Sequence, residues 1–389
     1  MKKFKFLNAP LCFVMLLGMF FAASLPSQMQ VAYAKGVDGI NSKAYCLMDF
    51  NTNTVLLEKE STKHLPIASV TKTMTLLLTF EEIEKGKLKT QDMLLCSKNA
   101  SGMGGSQVFL DADTQYKVDD LLYAVILSSA NDASVVFAEA IAGTEENFVD
   151  LMNKKAQNLG LKNTHFVNCT GLPASNHYSC ANDVAVITKE LLKHDMYFNY
   201  TKERLRDFVH PSGRITQMTN TNKLMHTYNG CDAGKTGSTV EAGYCLTASA
   251  IRNNLRLVSV VLGAQTSKQR FNDCATILDY GFNNYESQCL VDANQSIEYT
   301  KPIKYSNLNN VLVKPQEAYY VITQKGEQTN LTTQTFFNDI KAPLKKGEIV
   351  GEIVVSNNGE EVKHINLLLT QDIPVITYLE SLKQITNKW

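Results

Sequence analysis

The sequence lacks the signatures of several large classes of protein. Lysine plus arginine and aspartate plus glutamate both number 38, so the net charge indicates neither nucleic acid nor an acidic partner. The chain has no C-x-x-C and no G-x-S-x-G, and its seven histidines form no H-E-x-x-H. Zinc-peptidase and hydrolase-elbow chemistry therefore have no support, and we predict neither a metal nor a cofactor.

Long apolar stretches are also absent after the amino end. There, a basic segment at residues 1–5 and an apolar run from Leu11 to Leu25 precede Ala32-Tyr33-Ala34, an A-x-A cleavage site. We predict that residues 1–34 are a signal peptide. The protein would then be exported to the cell envelope, either secreted or peripherally bound to the membrane. An uncleaved anchor is the alternative, but the run is short for a membrane span.

Eight cysteines follow the predicted cleavage site, and neither their spacing nor their number settles their state. An exported chain can form disulfides, but wide and irregular spacing resembles no small disulfide framework. Disulfides and buried free thiols both stay open. The eight are Cys46, Cys96, Cys169, Cys180, Cys231, Cys245, Cys274 and Cys289.

The only S-x-x-K in the chain joins Ser69 to Lys72, at the start of an apolar run that predicts a buried helix. Pro66 lies just upstream, where a helix can begin but not continue. Residues i and i+3 share one face of a helix, so the serine and the lysine should lie side by side. A desolvated lysine can be the base for a serine nucleophile. Taken alone, a chance pair on an amphipathic helix is the alternative.

Two further elements lie downstream. Ser129-Ala130-Asn131 stands between two predicted helices, where its side chains either cap helix ends or relay a proton and bind a peptide. Lys235-Thr236-Gly237 is the only K-T-G, on a strand predicted before paired strands at residues 243–250 and 255–263. Its glycine would let a substrate backbone approach, and its lysine and threonine can hold a terminal carboxylate. A solvated turn is the alternative.

The order S-x-x-K, S-x-N, K-T-G is shared by penicillin-binding proteins and β-lactamases. The flanks Pro66–Thr75, Ser128–Ala133 and Asp232–Gly243 closely resemble the D-alanyl-D-alanine carboxypeptidases, the low-molecular-mass penicillin-binding proteins. So does Gly171-Leu172 leading to Asn176-His177-Tyr178. The resemblance implies an α+β fold, with a β-lactamase/transpeptidase-like catalytic domain over residues 35–290, built of an antiparallel sheet with helices.

The resemblance also implies roles for single residues. Ser69 would attack the bond between the terminal D-alanines of a peptidoglycan stem peptide, Lys72 would be the base, and Ser129 would carry a proton to the leaving amine. The substrate would be bound by a further set, and a β-lactam would acylate the same serine. The substrate-binding set is Asn131, Lys235, Thr236, Gly237 and Ser238, with the backbone N–H of Ser69 and Ser238 as the oxyanion hole.

One departure from the family is visible. The family commonly has D-G-x ahead of K-T-G, whereas this chain has Asp232-Ala233-Gly234. The shift of the glycine bears on the geometry at the start of that strand and removes no catalytic side chain.

After about residue 290 the pattern changes to short strand-like pieces separated by polar turns, which predicts a small all-β domain over residues 291–374. The expected strands are residues 310–313, 319–323, 347–355 and 363–370. Residues 375–389 carry an apolar stripe at roughly helical spacing, which either lies on a membrane surface or packs on the protein. The stripe is Val375, Leu379, Leu382, Ile385 and Trp389.

Two other functions share the motifs. A β-lactamase of the commonest class needs a glutamate about 35 positions after the S-x-N element, and no glutamate occurs between Glu146 and Glu190. A non-catalytic wall-binding protein with a relic site is the second alternative. The intact motif residues oppose it.

Overall fold

The structure, a computed structural model, describes residues 37–308, 311–380 and 382, so the predicted signal peptide lies outside the described residues. Up to residue 284 the strands are β1 (Ala44–Asp49), β2 (Val55–Lys59), β3 (Met93–Cys96), β4 (Thr114–Lys117), β5 (Leu205–Val209), β6 (Ile215–Thr219), β7 (Cys231–Thr239), β8 (Gly243–Arg252) and β9 (Leu255–Ala264). The helices are a 3-10 turn at Ala68–Thr71, α1 (Lys72–Glu84), α2 (Lys98–Ser101), α3 (Val118–Leu127), α4 (Asn131–Ala142), α5 (Glu145–Asn158), α6 (Ala181–Leu191), α7 (Tyr197–Thr201), α8 (Leu224–Thr227) and α9 (Ser267–Asn284).

A five-stranded antiparallel sheet, in the order β2-β1-β9-β8-β7, lies at the centre of this part. Every residue of β9 except Arg256 is buried, so both faces of the sheet must be covered. Asn253 and Asn254 connect β8 to β9 with φ of 48° and 66°, a conformation that asparagine tolerates in hairpin turns. The predicted pairing of these two strands is confirmed.

Helices cover both faces of the sheet. The two faces can be told apart because neighbouring residues of a strand point to opposite sides. Gly281 of α9 packs so closely on Leu257 that an added Cβ would lie 2.5 Å from its Cδ1. The hydroxyl of Thr188, in α6, lies 2.9 Å from that of Thr247, which pairs with Val260. Leu257 and Val260 are three residues apart in β9 and therefore point to opposite faces of the sheet, so α9 and α6 lie on opposite faces. Because α1 packs against α6, it is buried in the helical layer.

The remaining strands form the carboxy-terminal β unit. They are β10 (Tyr285–Val291), β11 (Ile297–Tyr299), β12 (Val311–Pro315), β13 (Tyr319–Gln324), β14 (Leu331–Phe337), β15 (Ile349–Asn357) and β16 (Glu360–Leu369). Five of them make a sheet in the order β11-β12-β16-β15-β14, while β10 pairs with β13. In β12 buried and exposed residues alternate, which is the pattern of a sheet with one buried face.

The α+β class and the all-β segment predicted from the sequence are confirmed, although the strand list was incomplete. β12, β13, β15 and β16 match the four predicted pieces, whereas β10, β11 and β14 were not predicted. The physical reason is clearest for β14, whose centre is threonine and glutamine and is exposed, so no apolar alternation marks it.

Of the predicted carboxy-terminal helix, only residues 375–380 and 382 are described, and Ile385 and Trp389 lie outside them. Residues 378–380 and 382 are helical, and Val375, Leu379 and Leu382 are exposed. Across the described part of the chain, every helix is too short or too polar to span a membrane. The eight cysteines are free thiols, most of them buried.

Candidate active site

Ser69 and Lys72 meet where the 3-10 turn runs into α1. Lys72 Nζ lies 3.0 Å from Ser69 Oγ, as expected for residues one helical turn apart. The lysine is fully buried, because α1 is enclosed on all sides as far as Phe80. Burial disfavours the ammonium form and lowers the pKa of Lys72 to about 7. A near-neutral amine therefore lies against the serine hydroxyl.

The segment before Ser69 is held in an uncommon conformation. Ala68 has φ +47°, and Gly171 packs on its carbonyl so closely that a Cβ there would lie 1.9 Å from the oxygen. Further along the same loop, His177 Nδ1 accepts the N–H of Val167 at 3.1 Å, so its proton is on Nε2, which donates to Thr71 Oγ1 at 2.8 Å. The loop from Gly171 to His177, which is part of the family resemblance, thus packs on and hydrogen-bonds to the 3-10 turn that contains Ser69.

Asn131 connects the first motif to the second. Lys72 Nζ donates to Asn131 Oδ1 at 2.6 Å and to the carbonyl of Thr170 at 2.6 Å. Asn131 Nδ2 donates to the carbonyl of Gly104 at 2.6 Å, which fixes the orientation of the amide. The glycine-rich loop at residues 102–106 is therefore one wall of the site.

Asp132 fastens the continuation of that loop. It is fully buried and accepts the backbone N–H groups of Val108 at 3.2 Å and Leu110 at 3.1 Å. Burial raises its pKa, while these hydrogen bonds act in the opposite direction. Sequence reasoning missed this role. The only available indication was that an acid directly follows Asn131 in the second motif.

Ser129 and Lys235 form the second close pair. Lys235 Nζ donates to Ser129 Oγ at 2.7 Å and to the carbonyl of Thr236 at 3.0 Å. Ser129 has φ +60°, a strained conformation of the kind that collects at functional sites. Burial lowers the pKa of Lys235 well below its usual range, and repulsion from the nearby Lys72 lowers it further. Thr236 Oγ1 donates to Thr221 Oγ1 at 2.8 Å.

The K-T-G strand, β7, presents a backbone donor at its free edge. Arg270 Nη1 donates to the carbonyl of Gly237 at 3.1 Å and lies 3.5 Å from that of Cys245 in β8, so the Gly237 carbonyl points toward β8. In a trans peptide the next N–H points the opposite way, which directs the N–H of Ser238 to the free edge. A Cβ on Gly237 would lie 2.8 Å from the backbone nitrogen of Ser69. The backbone N–H groups of Ser69 and Ser238 therefore lie near one another.

The shifted glycine at the start of β7 has a steric reason. Gly234 has φ +151°, and a Cβ there would lie 2.4 Å from the carbonyl oxygen of Thr247. The pairing with β8 is irregular between Cys231 and Ala233. The irregularity ends before Lys235, so the departure from the family pattern leaves the motif itself in regular register.

The structure thus joins five of six predicted side chains in two hydrogen-bonded groups, while Thr236 meets Lys235 through its backbone carbonyl. Gly237 and the exposed Ser238 lie at the strand edge. The six are Ser69, Lys72, Ser129, Asn131, Lys235 and Thr236. Thr170, Thr221 and Arg270 were not predicted, because each joins the site through a tertiary contact that no local pattern marks.

Known protein families match both parts of the chain. A family model described as D-alanyl-D-alanine carboxypeptidase matches residues 30–266, and one described as the C-terminal domain of penicillin-binding protein 5 matches residues 285–375. The chain is 38% identical over 353 residues to D-alanyl-D-alanine carboxypeptidase DacF of Bacillus subtilis, covering 90% of each chain. It is 34% identical to DacC of Escherichia coli, covering 91% of this chain and 88% of that one.

A solved structure extends the match to three dimensions. Penicillin-binding protein 5 of Haemophilus influenzae superposes with a TM-score of 0.68 at 32% identity, covering 88% of this chain and 100% of that chain. Both the catalytic part and the β unit therefore have counterparts. This chain belongs to the serine D-alanyl-D-alanine carboxypeptidases, the low-molecular-mass penicillin-binding proteins, with an α+β catalytic domain followed by the family's all-β carboxy-terminal domain.

Proposed function

We propose that Ser69 is the nucleophile with which this carboxypeptidase removes the terminal D-alanine from peptidoglycan stem peptides, and the residue that β-lactams acylate. One observation carries the assignment. The amine of Lys72, with a pKa of about 7, lies 3.0 Å from the Ser69 hydroxyl. A serine hydroxyl is a weak nucleophile until an adjacent base accepts its proton.

The partners of Lys72 favour its acting as that base. A neutral amine has two N–H bonds and one lone pair. Two carbonyl acceptors at 2.6 Å, from Asn131 and Thr170, match the two N–H bonds. The lone pair is then left for the hydroxyl of Ser69, and the proton moves from Oγ to Nζ as the Oγ–carbon bond forms.

The rest of the cycle uses groups that lie nearby. The N–H groups of Ser69 and Ser238 stabilise the oxyanion of the tetrahedral intermediate. Ser129 Oγ, hydrogen-bonded to Lys235, gives its proton to the departing nitrogen and takes up the proton that Lys72 accepted from Ser69, and D-alanine leaves. Water then attacks the ester on Ser69 and gives one proton to Lys72, which returns it to Ser69 Oγ as the shortened peptide leaves.

Recognition of a chain end falls to Lys235 and Thr236. A buried ammonium with a lowered pKa gains most from an anionic partner, because the partner offsets the cost of burying the charge. A terminal carboxylate is such a partner, and an internal peptide bond is not. This difference supports cleavage at the carboxy terminus alone.

Export and membrane contact extend the proposal. The signal-peptide pattern of residues 1–34 supports placement in the cell envelope. Val375 and Leu379 are 49% and 71% exposed, which supports a peripheral contact between residues 375–389 and a lipid surface.

Labelling with a fluorescent penicillin, together with an assay of D-alanine release, tests the central assignment. The mature protein should bind the label covalently and release D-alanine, and Ser69→Ala should do neither while keeping the wild-type circular dichroism spectrum. Ser238→Ala is the matched control, since it removes a hydroxyl beside the site but keeps the backbone N–H that the mechanism uses. Labelling of folded Ser69→Ala would reject the assignment of Ser69 as the nucleophile.

A further inference from the structure

The carboxy-terminal sheet ends in a strand with an open edge. β14 is the last strand in the order β11-β12-β16-β15-β14, and within the described residues it pairs with β15 alone. Its five central residues, from Thr332 to Phe336, are all exposed. A free edge of this kind presents a row of backbone N–H and C=O groups to any chain that can pair with it.

The sequence of β14 has none of the features that usually protect an edge strand. Its seven residues include no charged residue, no proline and no glycine, whereas natural sheets protect their edges with charge, with proline or with very short strands. The opposite edge of the same sheet, β11, has three residues, one of them Glu298. The edge strand β2 of the catalytic sheet has Glu58 and Lys59. β14 is therefore open to pairing in a way that β11 and β2 are not.

The hydrogen bonds at the two ends of β14 show which of its backbone groups point outward. Just after the strand, Asn338 donates its N–H to the carbonyl of Val350 at 2.9 Å, and just before it the carbonyl of Asn330 accepts the N–H of Asn358 at 3.4 Å. The even-numbered residues therefore face β15. Because the register between the ends has no shift and the direction alternates along a strand, the odd-numbered residues direct their N–H and C=O groups to the free edge. These residues are Leu331, Thr333, Thr335 and Phe337.

The order of residue types in β14 is nearly the same in both directions from its centre, Gln334. Thr333 and Thr335 flank that residue, and Leu331 and Phe337 are the apolar ends. A second copy, antiparallel and with the two Gln334 residues opposite each other, would pair threonine with threonine and leucine with phenylalanine. These are the residues whose backbone groups point outward, and each such pair exchanges two hydrogen bonds, so the four pairs would form about eight. Like charges do not meet, since the strand carries none.

We infer that two copies of this protein associate through β14, in an antiparallel pair centred on Gln334 that joins two five-stranded sheets into one. A second copy fits better than an unrelated extended chain, because the strand itself supplies a matching residue at each position. A ladder of seven residues is a small contact beside the roughly 1,200–2,000 Å² of a stable interface. The association is therefore weak and depends on protein concentration.

Cross-linking through introduced cysteines tests the register. Gln334→Cys places two thiols opposite each other in a non-hydrogen-bonded pair, with Cα atoms about 4.5 Å apart, which a disulfide can span. Phe336→Cys is the matched control, because its two copies lie four residues apart, about 14 Å along the strands. Both changes are made in the full mature chain with Cys289→Ser, which removes the exposed native thiol. Under mild oxidation Gln334→Cys should form dimers at least about tenfold faster than Phe336→Cys. Equal rates, or no dimer from Gln334→Cys, would overturn the inference.

An exchange of charge tests whether the partner is a second copy. The sedimentation coefficient of the wild-type chain should rise with protein concentration. Thr333→Lys with Thr335→Lys puts like charges opposite each other and should keep the chain monomeric, as should Thr333→Glu with Thr335→Glu. An equimolar mixture of the two variants should dimerise again, and both should keep the wild-type unfolding temperature, since these threonines are exposed. A wild-type coefficient that does not change with concentration, or a mixture that stays monomeric, would overturn the inference.

Discussion

The catalytic domain and the β unit differ in what they bury. Within the described residues, every buried polar or charged side chain lies at or before Asp273. The core after residue 285 is apolar apart from the hydroxyl of Tyr299, which is hydrogen-bonded to the carbonyl of Asn338. Both units bury hydrophobic residues for stability, but within the described residues only the first also buries lysine amines.

That difference separates the residues of the site from those of the scaffold. Taking an ammonium group out of water costs several kcal/mol unless strong partners offset it. Lys72 and Lys235 are nevertheless at most 1% exposed and donate mainly to hydroxyls and carbonyls. Strongly shifted pKa values in such a setting are typical of functional sites. Lysines buried among neutral partners therefore distinguish the first unit, which contains the proposed site.

The largest expected effect comes from removing the buried amine. Lys72→Ala should slow acylation by penicillin by about 10²–10⁴-fold, because Ser69 loses the base that accepts its proton. Stopped-flow fluorescence with a labelled penicillin measures the rate. Lys189→Ala, which removes a lysine of α6 from outside the site, should acylate at the wild-type rate. Near-normal acylation of Lys72→Ala would mean that another group takes the proton.

The next effect concerns the second buried amine. Replacing the terminal carboxylate of the substrate by an amide should cost about 2–5 kcal/mol, because Lys235 then loses its anionic partner. That range corresponds to roughly a thirtyfold to several-thousandfold fall in kcat/KM. D-alanine and D-alanine amide release are compared by mass spectrometry. Equal cleavage of acid and amide would show that Lys235 does not hold the chain end.

The positions of Lys72 and Lys235 could be predicted from the sequence because each depends on local geometry. Ser69 and Lys72 are one helical turn apart, and the K-T-G residues precede two strongly apolar strands, so short patterns sufficed. Arg270 could not be predicted, since its contact with Gly237 depends on how α9 crosses the sheet. The contact of the loop at residues 102–106 with Asn131 likewise arises only from tertiary packing.

A smaller effect follows from pH. If Lys72 is the base, its neutral amine is the active form, so acylation should rise about tenfold per pH unit below its pKa of about 7 and level off above it. The sign follows from burial, which lowers the pKa of an amine. Acylation rates measured from pH 5 to 8.5 check this. A rate that stays constant across this range would show that Lys72 is already neutral at pH 5 or is not the base.

The smallest effect on chemistry should come from the far end of the chain. A protein that ends at Pro374 loses the apolar stripe but keeps every residue of the site. It also loses the hydrogen bond from the N–H of Ile376 to the carbonyl of Tyr305, a loss of about 1 kcal/mol in unfolding free energy. Turnover of a soluble peptide should stay at the wild-type value.

Binding to lipid should change instead. Each large apolar side chain that enters the membrane surface contributes about 1.5 kcal/mol or more, so the full chain should sediment with liposomes and the shortened chain should not. Leu379→Asp keeps the length and charges one position that is 71% exposed, so it should weaken sedimentation without altering turnover. If the full chain fails to sediment, the stripe is a packing surface. If truncation abolishes soluble activity, the tail belongs to the catalytic fold, and the division between a unit for chemistry and a unit for location is wrong.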